Sequence, residues 1–280
     1  MDYFLNLNIS KKIFFIFLLM MMSILIFISV FAKYIIPFDP YYSDARDVLA
    51  KSDSVHIMGC DHMGRDLFSR IILGIQSSIL ISLITVLINF VIGTVLGIVA
   101  GYKGGKVKSI IMRFTDVMLA FPGLVLSIAI VGVLGQGVFN TIIALVISGW
   151  AEYTRMSLAL TISVKDNEYM KTAIFHGCDN KQIIFRYIFM NILPQLIVFA
   201  SLNFSSAMLR FSGLAFLGLG VKPPRPELGL MLSESKDYMQ LAPSYMIYTG
   251  FALFFTVFVF NFFADYMQDY LNYKKDSLMS

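Results

Sequence analysis

Residues 71–102 read IILGIQSSILISLITVLINFVIGTVLGIVAGY and carry no charged side chain. A hydrocarbon core of ~30 Å takes about 20 apolar residues wound as a helix, so this stretch crosses a membrane with residues to spare. A second neutral stretch, from Val117 to Ala151, holds most of two further spans. The composition agrees: 58% of the residues are hydrophobic and 14% charged, with mean hydropathy +0.74, where a soluble domain carries about 25% charge. Uninterrupted apolar runs exclude a transmembrane β-barrel, whose strands alternate apolar and polar residues. The net charge of +4 reflects Lys and Arg in loops and is not a nucleic-acid-binding signature. No polar segment holds a GxxxxGK[ST], GxSxG or HExxH pattern, so the chain is not expected to be an enzyme or to carry a cofactor; any ATP chemistry comes from another chain.

An all-α integral membrane protein with six transmembrane helices is expected, over roughly 13–36, 74–101, 110–134, 138–160, 191–212 and 245–268. The first run follows Lys11 and Lys12, is longer than a signal-peptide core and lacks an AxA site, so it reads as an uncleaved anchor. Gly104-Gly105 and Gly135-Gln136-Gly137 mark turns after the second and third spans. With both termini in the cytoplasm, inside segments hold thirteen Lys and Arg and outside segments eight, with Arg210 left within a span; the excess follows the positive-inside rule. Cys60 then lies in an outer loop and Cys178 in an inner one, which rules out a disulfide between them.

The inner segment at about 152–190 is too long for a simple connection, where 2–8 residues are usual. Within it Glu168 to Phe175 and Lys181 to Met190 have helical composition, separated by Gly177-Cys178-Asp179-Asn180. Such a helix, anchored at both ends between spans, serves as a lever for a cytoplasmic partner; the plainer reading is an amphipathic segment lying on the membrane surface.

Four ordered motifs resemble the ABC-importer inner-membrane permeases of the peptide/nickel branch. Glu168-Tyr169-Met170-Lys171-Thr172-Ala173 followed by Gly177 is similar to the family's EAA loop, with Thr172 in place of its first Ala. Met58-Gly59-Cys60-Asp61-His62-Met63-Gly64-Arg65-Asp66-Leu67-Phe68-Ser69-Arg70 is similar to L-G-T-D-x-x-G-R-D-x-x-S-R, with Cys60 in place of Thr. Arg113, Asp116, Phe121 and Pro122 match R-x-x-D-x-x-x-x-F-P, and Phe216-Leu217-Gly218-Leu219-Gly220-Val221 with Pro223 and Pro224 matches F-L-G-L-G-V-x-P-P. Met190 stands where many members have Pro, and Pro194 follows four residues later.

The resemblance implies a type I ABC-importer permease fold, with an anchor helix and outer loop over 1–70 and the permease domain over 71–280. It further implies a C-type half-pore in the bacterial inner membrane, surrounded by membrane lipid and paired with a homologous B-type permease, two cytoplasmic ATPases and an extracytoplasmic binding protein. Glu168, Tyr169, Thr172, Ala173 and Gly177 would form the ATPase-coupling loop. The cargo would be nickel, free or chelated, or a di- or oligopeptide, and Trp150 to Met156 with Met208 to Gly213 lean to nickel. A self-sufficient secondary transporter is the rival; it predicts inverted repeats and a midplane ionisable site, and no clear repeat is visible.

A charge inside a span costs about 2.5–3.5 kcal/mol on insertion scales, so each is a functional candidate. Arg113 and Asp116 stand i, i+3 near an end of the third span and are expected either to pair on one helix or to gate the path. Glu152 and Arg155 have the same spacing and read as an interfacial pair, while Arg210 either lines the path or snorkels outward. Gly93, Gly97 and Gly101 make one smooth face for helix packing. His56, Cys60 and His62 are ligand types that suit a borderline metal such as nickel, although H-x3-C-x-H is not a standard closed site.

Overall fold

The computed structural model describes residues 9–279, so the start of the inner segment used in the charge count, residues 1–8, lies outside the described residues. The chain runs through α1 (Ile9–Ile35), a 3-10 turn (Ala45–Asp47), α2 (Leu67–Lys103), α3 (Gly105–Ala120), α4 (Gly123–Leu134), α5 (Val138–Lys165), α6 (Glu168–Phe175), α7 (Asn180–Phe216), α8 (Leu228–Lys236) and α9 (Pro243–Met279). The β pairing among the described residues is a lone bridge between Cys60 and Asp66. Helices α1, α2, α7 and α9 are long and apolar enough to cross a membrane, and α3 with α4 make a fifth crossing if taken together. Helix α5 has the length, at 28 residues, but is interrupted by Glu152 and Arg155.

The expected continuous span over 110–134 is two helices bent by 88° at Phe121 and Pro122. A residue preceding proline is pushed out of the α region, and proline has no N–H to continue the ladder. Phe121 accordingly sits at φ −95°, ψ 137°, and Gly123 starts the next helix. The inner loop is also shorter than expected, because α5 continues to Lys165 before the chain turns. Glu168 to Phe175 is helical over the expected residues, and the second expected segment, Lys181 to Met190, enters α7 through a π-helical stretch at Ile183–Phe189. That stretch runs out near Pro194, whose missing N–H leaves the Met190 carbonyl without its i+4 donor.

Helix α5 lies directly on α2 because of glycine. A Cβ at Gly93 would overlap the Cβ of Tyr153, one at Gly97 would come within 2.5 Å of the Ser157 Cβ, and one at Gly101 within 2.6 Å of the Thr161 Cγ2. In lipid, where no hydrophobic force drives helices together, such close approach is what gives packing attraction. On one side of this seam α1, α2, α7, α8 and α9 share a core that includes Leu25, Leu67, Ile71, Met208 and Met231. Towards the other end Ile98, Ile183, Ile188, Ile192 and Leu196 form a second core, into which α6 inserts Met170.

Leucine at Gly97 is therefore expected to force α5 off α2. Overpacking of this kind costs about 1–3 kcal/mol, or roughly 3–10 °C in thermal midpoint for a chain of this size. Gly132→Ala, where a Cβ meets nothing within 4 Å, should hold or slightly raise the midpoint, since Ala is favoured over Gly within a helix by about 0.5–1 kcal/mol. Gel filtration of detergent-solubilised protein after graded heating measures both.

Candidate functional site

The outer loop closes on a buried ionic knot. Gly59 and Gly64 adopt φ +77° and +72°, and a Cβ on either would overlap a backbone carbonyl, that of Ala50 or of Asp44. The turns they permit bury Asp61 completely. Its carboxylate accepts the backbone N–H of Met63 and Arg65 at 2.8 and 3.0 Å and the Arg65 Nε at 2.7 Å. It also pairs with the Arg70 Nε at 3.0 Å. Glu234, on α8, lies 3.6 and 3.5 Å from the Nη2 atoms of Arg65 and Arg70. Arg70 Nη1 donates to the carbonyls of Pro40 and Pro224. Asp66 caps α2 by accepting the Ser69 N–H at 2.8 Å and meets His56 Nδ1 at 2.8 Å. Two buried guanidiniums facing two carboxylates repay part of the desolvation cost that any one of them alone would impose.

This arrangement separates the three residues expected to suit a metal. His56 is bound to Asp66, and His62 stacks on Tyr238 with ring centres 5.3 Å apart. Burial, reinforced by Asp47, Asp66 and Asp61, pushes the Cys60 thiol up to about 12, so it is protonated at neutral pH. Among the described residues the ligand-type atoms that converge belong to Asp61, His62 and Glu234, and both carboxylates are already held by arginines that would repel a dication.

Charge also gathers where α3 and α4 break. Asp116 pairs with Arg155 on α5 at 2.6 Å, not with Arg113 one turn away on its own helix. Glu152 pairs with Arg210 on α7 at 3.1 Å, not with Arg155. Both expected intrahelical pairs thus become interhelical ones, and Glu152 sits midway along α5 instead of at its end. Arg113 stays exposed. Arg210 is half-buried: its side chain is 33% exposed beside Glu152 at 32%, and its guanidinium lies against Gly123, the first residue of α4. The positive end of the α4 dipole opposes that placement, so Glu152 supplies the compensating charge. Behind the pair lies a cavity of about 20 Å³ lined by Asn89, Tyr153, Asn203 and Arg210, the size that one water fills.

Sequence reasoning missed Glu227. It is fully buried, forms no ion pair among the described residues, and caps α8 by accepting the Leu230 N–H at 2.9 Å. Its other oxygen accepts the hydroxyls of Ser78 on α2 at 2.8 Å and Ser212 on α7 at 3.1 Å. Burial raises its pKa against these hydrogen bonds, which pull the other way. Nothing in Pro226-Glu227-Leu228 distinguishes it from a loop carboxylate. The preceding F-L-G-L-G-V motif has a packing explanation: Gly218, at φ +79°, lets the Leu219 N–H turn back to the Leu214 carbonyl, and Gly220 lies against Ala215.

Helix α6 presents the residues singled out in the inner loop. Met170 and Ala173 are buried against the protein's own core, while Glu168, Tyr169, Thr172 and Phe175 point outward, Phe175 with 89% of its surface exposed. Ala173 thus seats the helix on the chain itself. Gly177 follows at φ +77° with open space around it, and the Cys178 N–H returns to the Ala173 carbonyl, the cap that a left-handed residue completes.

Removing Glu227 tests the knot between α2, α7 and α8. Glu227→Ala loses a cap and strands two hydroxyls, an expected cost of about 2 kcal/mol, whereas Glu227→Gln keeps the shape and should stay within about 0.5 kcal/mol. Because the folded pKa lies above the unfolded value of about 4.3, the contribution is complete below that value and is lost as pH rises through the folded pKa. The thermal midpoint of the wild type should therefore fall relative to Glu227→Gln as pH increases; parallel curves would contradict this.

Residues 93–276 match the family described as "Binding-protein-dependent transport system inner membrane component". The chain is 34% identical over 272 residues, 97% of each chain, to the nickel transport system permease protein NikC of Escherichia coli (strain K12). It is 36% identical over 255 residues, 91% of this chain and 85% of the relative, to the glutathione transport system permease protein GsiD of Pectobacterium atrosepticum. The fold is similar to that of the MetNI methionine ABC transporter in an inward-facing conformation, with TM-score 0.60 over 72% of this chain and 95% of that one at 14% identity. These findings decide against the self-sufficient secondary transporter and against an enzyme. The chain belongs to the inner-membrane components of binding-protein-dependent transport systems, as a non-catalytic permease subunit of the peptide/nickel branch of ABC importers.

Proposed function

We propose that the chain is one half of a heterodimeric translocation path, with a homologous B-type permease as the other half, two cytoplasmic ATPases below and an extracytoplasmic binding protein above. In this reading both termini are cytoplasmic and α5 is the sixth span. The observation that carries it is α6: an exposed helix, seated by Met170 and Ala173 and offering Glu168, Tyr169, Thr172 and Phe175, stands between two long helices where an ATPase could push or pull on both. The faces of α3 and α4, with Phe114, Val117, Val125 and Val133 exposed, supply apolar area for the second permease. Arg113, Asp116 and Arg210 then line or gate the path, since charges on partly exposed helix faces within a membrane protein need water or protein around them. A face that carries both signs of charge suits cargo that also carries both, a di- or oligopeptide or a chelated nickel ion, in line with the nickel and glutathione systems of the two relatives.

Gly177→Val forces a β-branched residue into a left-handed backbone, a strain of about 1–3 kcal/mol, and is expected to uncouple ATP hydrolysis from transport or to release the ATPase, with insertion intact. Phe175→Ala, which removes an exposed aromatic anchor without touching the fold, should weaken ATPase binding by about 2 kcal/mol, some thirtyfold. Copurification and the cargo-stimulated ATPase rate measure both, and wild-type values in both variants would sink the coupling role. For the path, Glu152→Gln and Arg210→Gln should each reduce uptake at least tenfold, and the exchange Glu152→Arg with Arg210→Glu should recover part of it; equal uptake in all three would return the pair to a packing role.

A further inference from the structure

A furrow runs along the seam between α1 and α2, away from the face of α3 and α4. On α1, Ile26, Val30 and Lys33 are exposed at i, i+4 and i+7 and so form one stripe. On α2, Gln76, Leu80, Leu83 and Leu87 form the facing stripe at i, i+4, i+7 and i+11. The lower part is apolar, a cavity of about 670 Å³ with Phe204 of α7 and Phe260 of α9 among its walls. The end near the 36–66 loop is polar, a cavity of about 780 Å³ lined by Lys33, Gln76, Ser77, Arg225 and Asp39. The two compartments meet where the Gln76 side-chain amide donates to the Ser29 carbonyl at 2.6 Å.

The geometry points to a specific site for an anionic glycerophospholipid, with the phosphate between Lys33 and Arg225 and an acyl chain lying in the furrow. The apolar walls belong to helices long enough to cross the membrane, so the medium that reaches them is lipid. From Gln76 to Leu87 the stripe covers about 17 Å at 1.5 Å per residue, the depth of one leaflet of a ~30 Å core. A lipid whose tail fills it therefore places its headgroup at the polar end. Charge selects the headgroup. Among the described residues neither Lys33 nor Arg225 forms an ion pair, and Asp39, the one carboxylate among the described residues that line the polar compartment, accepts the Tyr41 N–H at 2.9 Å. Two cations and one anion leave a net positive charge, which favours an anionic headgroup over a zwitterionic one.

Native mass spectrometry of the intact transporter in mild detergent, titrated with palmitoyl-oleoyl phosphatidylglycerol and separately with the matching phosphatidylcholine, tests the site without reference to transport. The wild type should bind one phosphatidylglycerol per copy of this chain more tightly than phosphatidylcholine. Lys33→Glu with Arg225→Glu, both exposed, should weaken phosphatidylglycerol about thirtyfold, at roughly fivefold per basic contact, and weaken phosphatidylcholine less, so that the preference between the two is lost. Leu83→Trp, which fills the furrow, should weaken both lipids. Phosphatidylglycerol binding within twofold of wild type in the double variant would overturn the site. So would efficient crosslinking of Leu83→Cys to a second protein chain in membranes, since the furrow would then hold a protein helix.

Discussion

Three glycines one turn apart set the distance between α2 and α5, and the rest of the arrangement hangs from that contact. With Gly93, Gly97 and Gly101 facing Tyr153, Ser157 and Thr161, α5 lies close enough to α2 that Glu152 and Arg155 emerge on its far side, towards α7 and α3. A single added Cβ would move α5 outward and take both charges away from their partners. Backbone proximity, not side-chain chemistry, is thus what makes the charged face possible.

The pairings on that face are set by which helices lie side by side. Arg113 and Asp116 both sit on α3, ahead of the 88° bend at Pro122, and remain one turn apart; Asp116 nonetheless meets Arg155 of the neighbouring α5 at 2.6 Å. Arg210 meets Glu152 across α5 and α7 at 3.1 Å, with its guanidinium beside Gly123 at the start of α4. Each pair joins two helices, so each changes whenever those helices move relative to one another. An intrahelical pair would not.

The two ends of the molecule are built on opposite principles. Around the outer loop, Asp61, Arg65, Arg70 and Glu234 are buried or nearly so, and Glu227 joins α2, α7 and α8 through hydrogen bonds. Breaking any one contact there leaves a buried polar group unpaired, which makes that end stiff. At the other end α6 is held by Met170, Ala173 and a left-handed glycine cap, with its remaining face free. A segment anchored by so few contacts costs little to displace.

The amino-acid sequence by itself determined the membrane class, the helical content, the family and the limits of α6, because these rest on local properties: apolar run length, glycine and proline punctuation, and short motifs. The glycine stripe on α2 was legible for the same reason, since four-residue spacing places side chains on one face whatever surrounds them. Only the tertiary structure decided which charges pair, because Asp116 and Arg155 are 39 residues apart and Glu152 and Arg210 are 58, and spacing along one helix predicts only intrahelical partners. It likewise decided that His56, Cys60 and His62 point to different neighbours, that Ala173 faces inward, and that Glu227 is buried. Burial is set by what packs on a residue from distant parts of the chain, and no local pattern around Glu227 records the serines of α2 and α7 that enclose it.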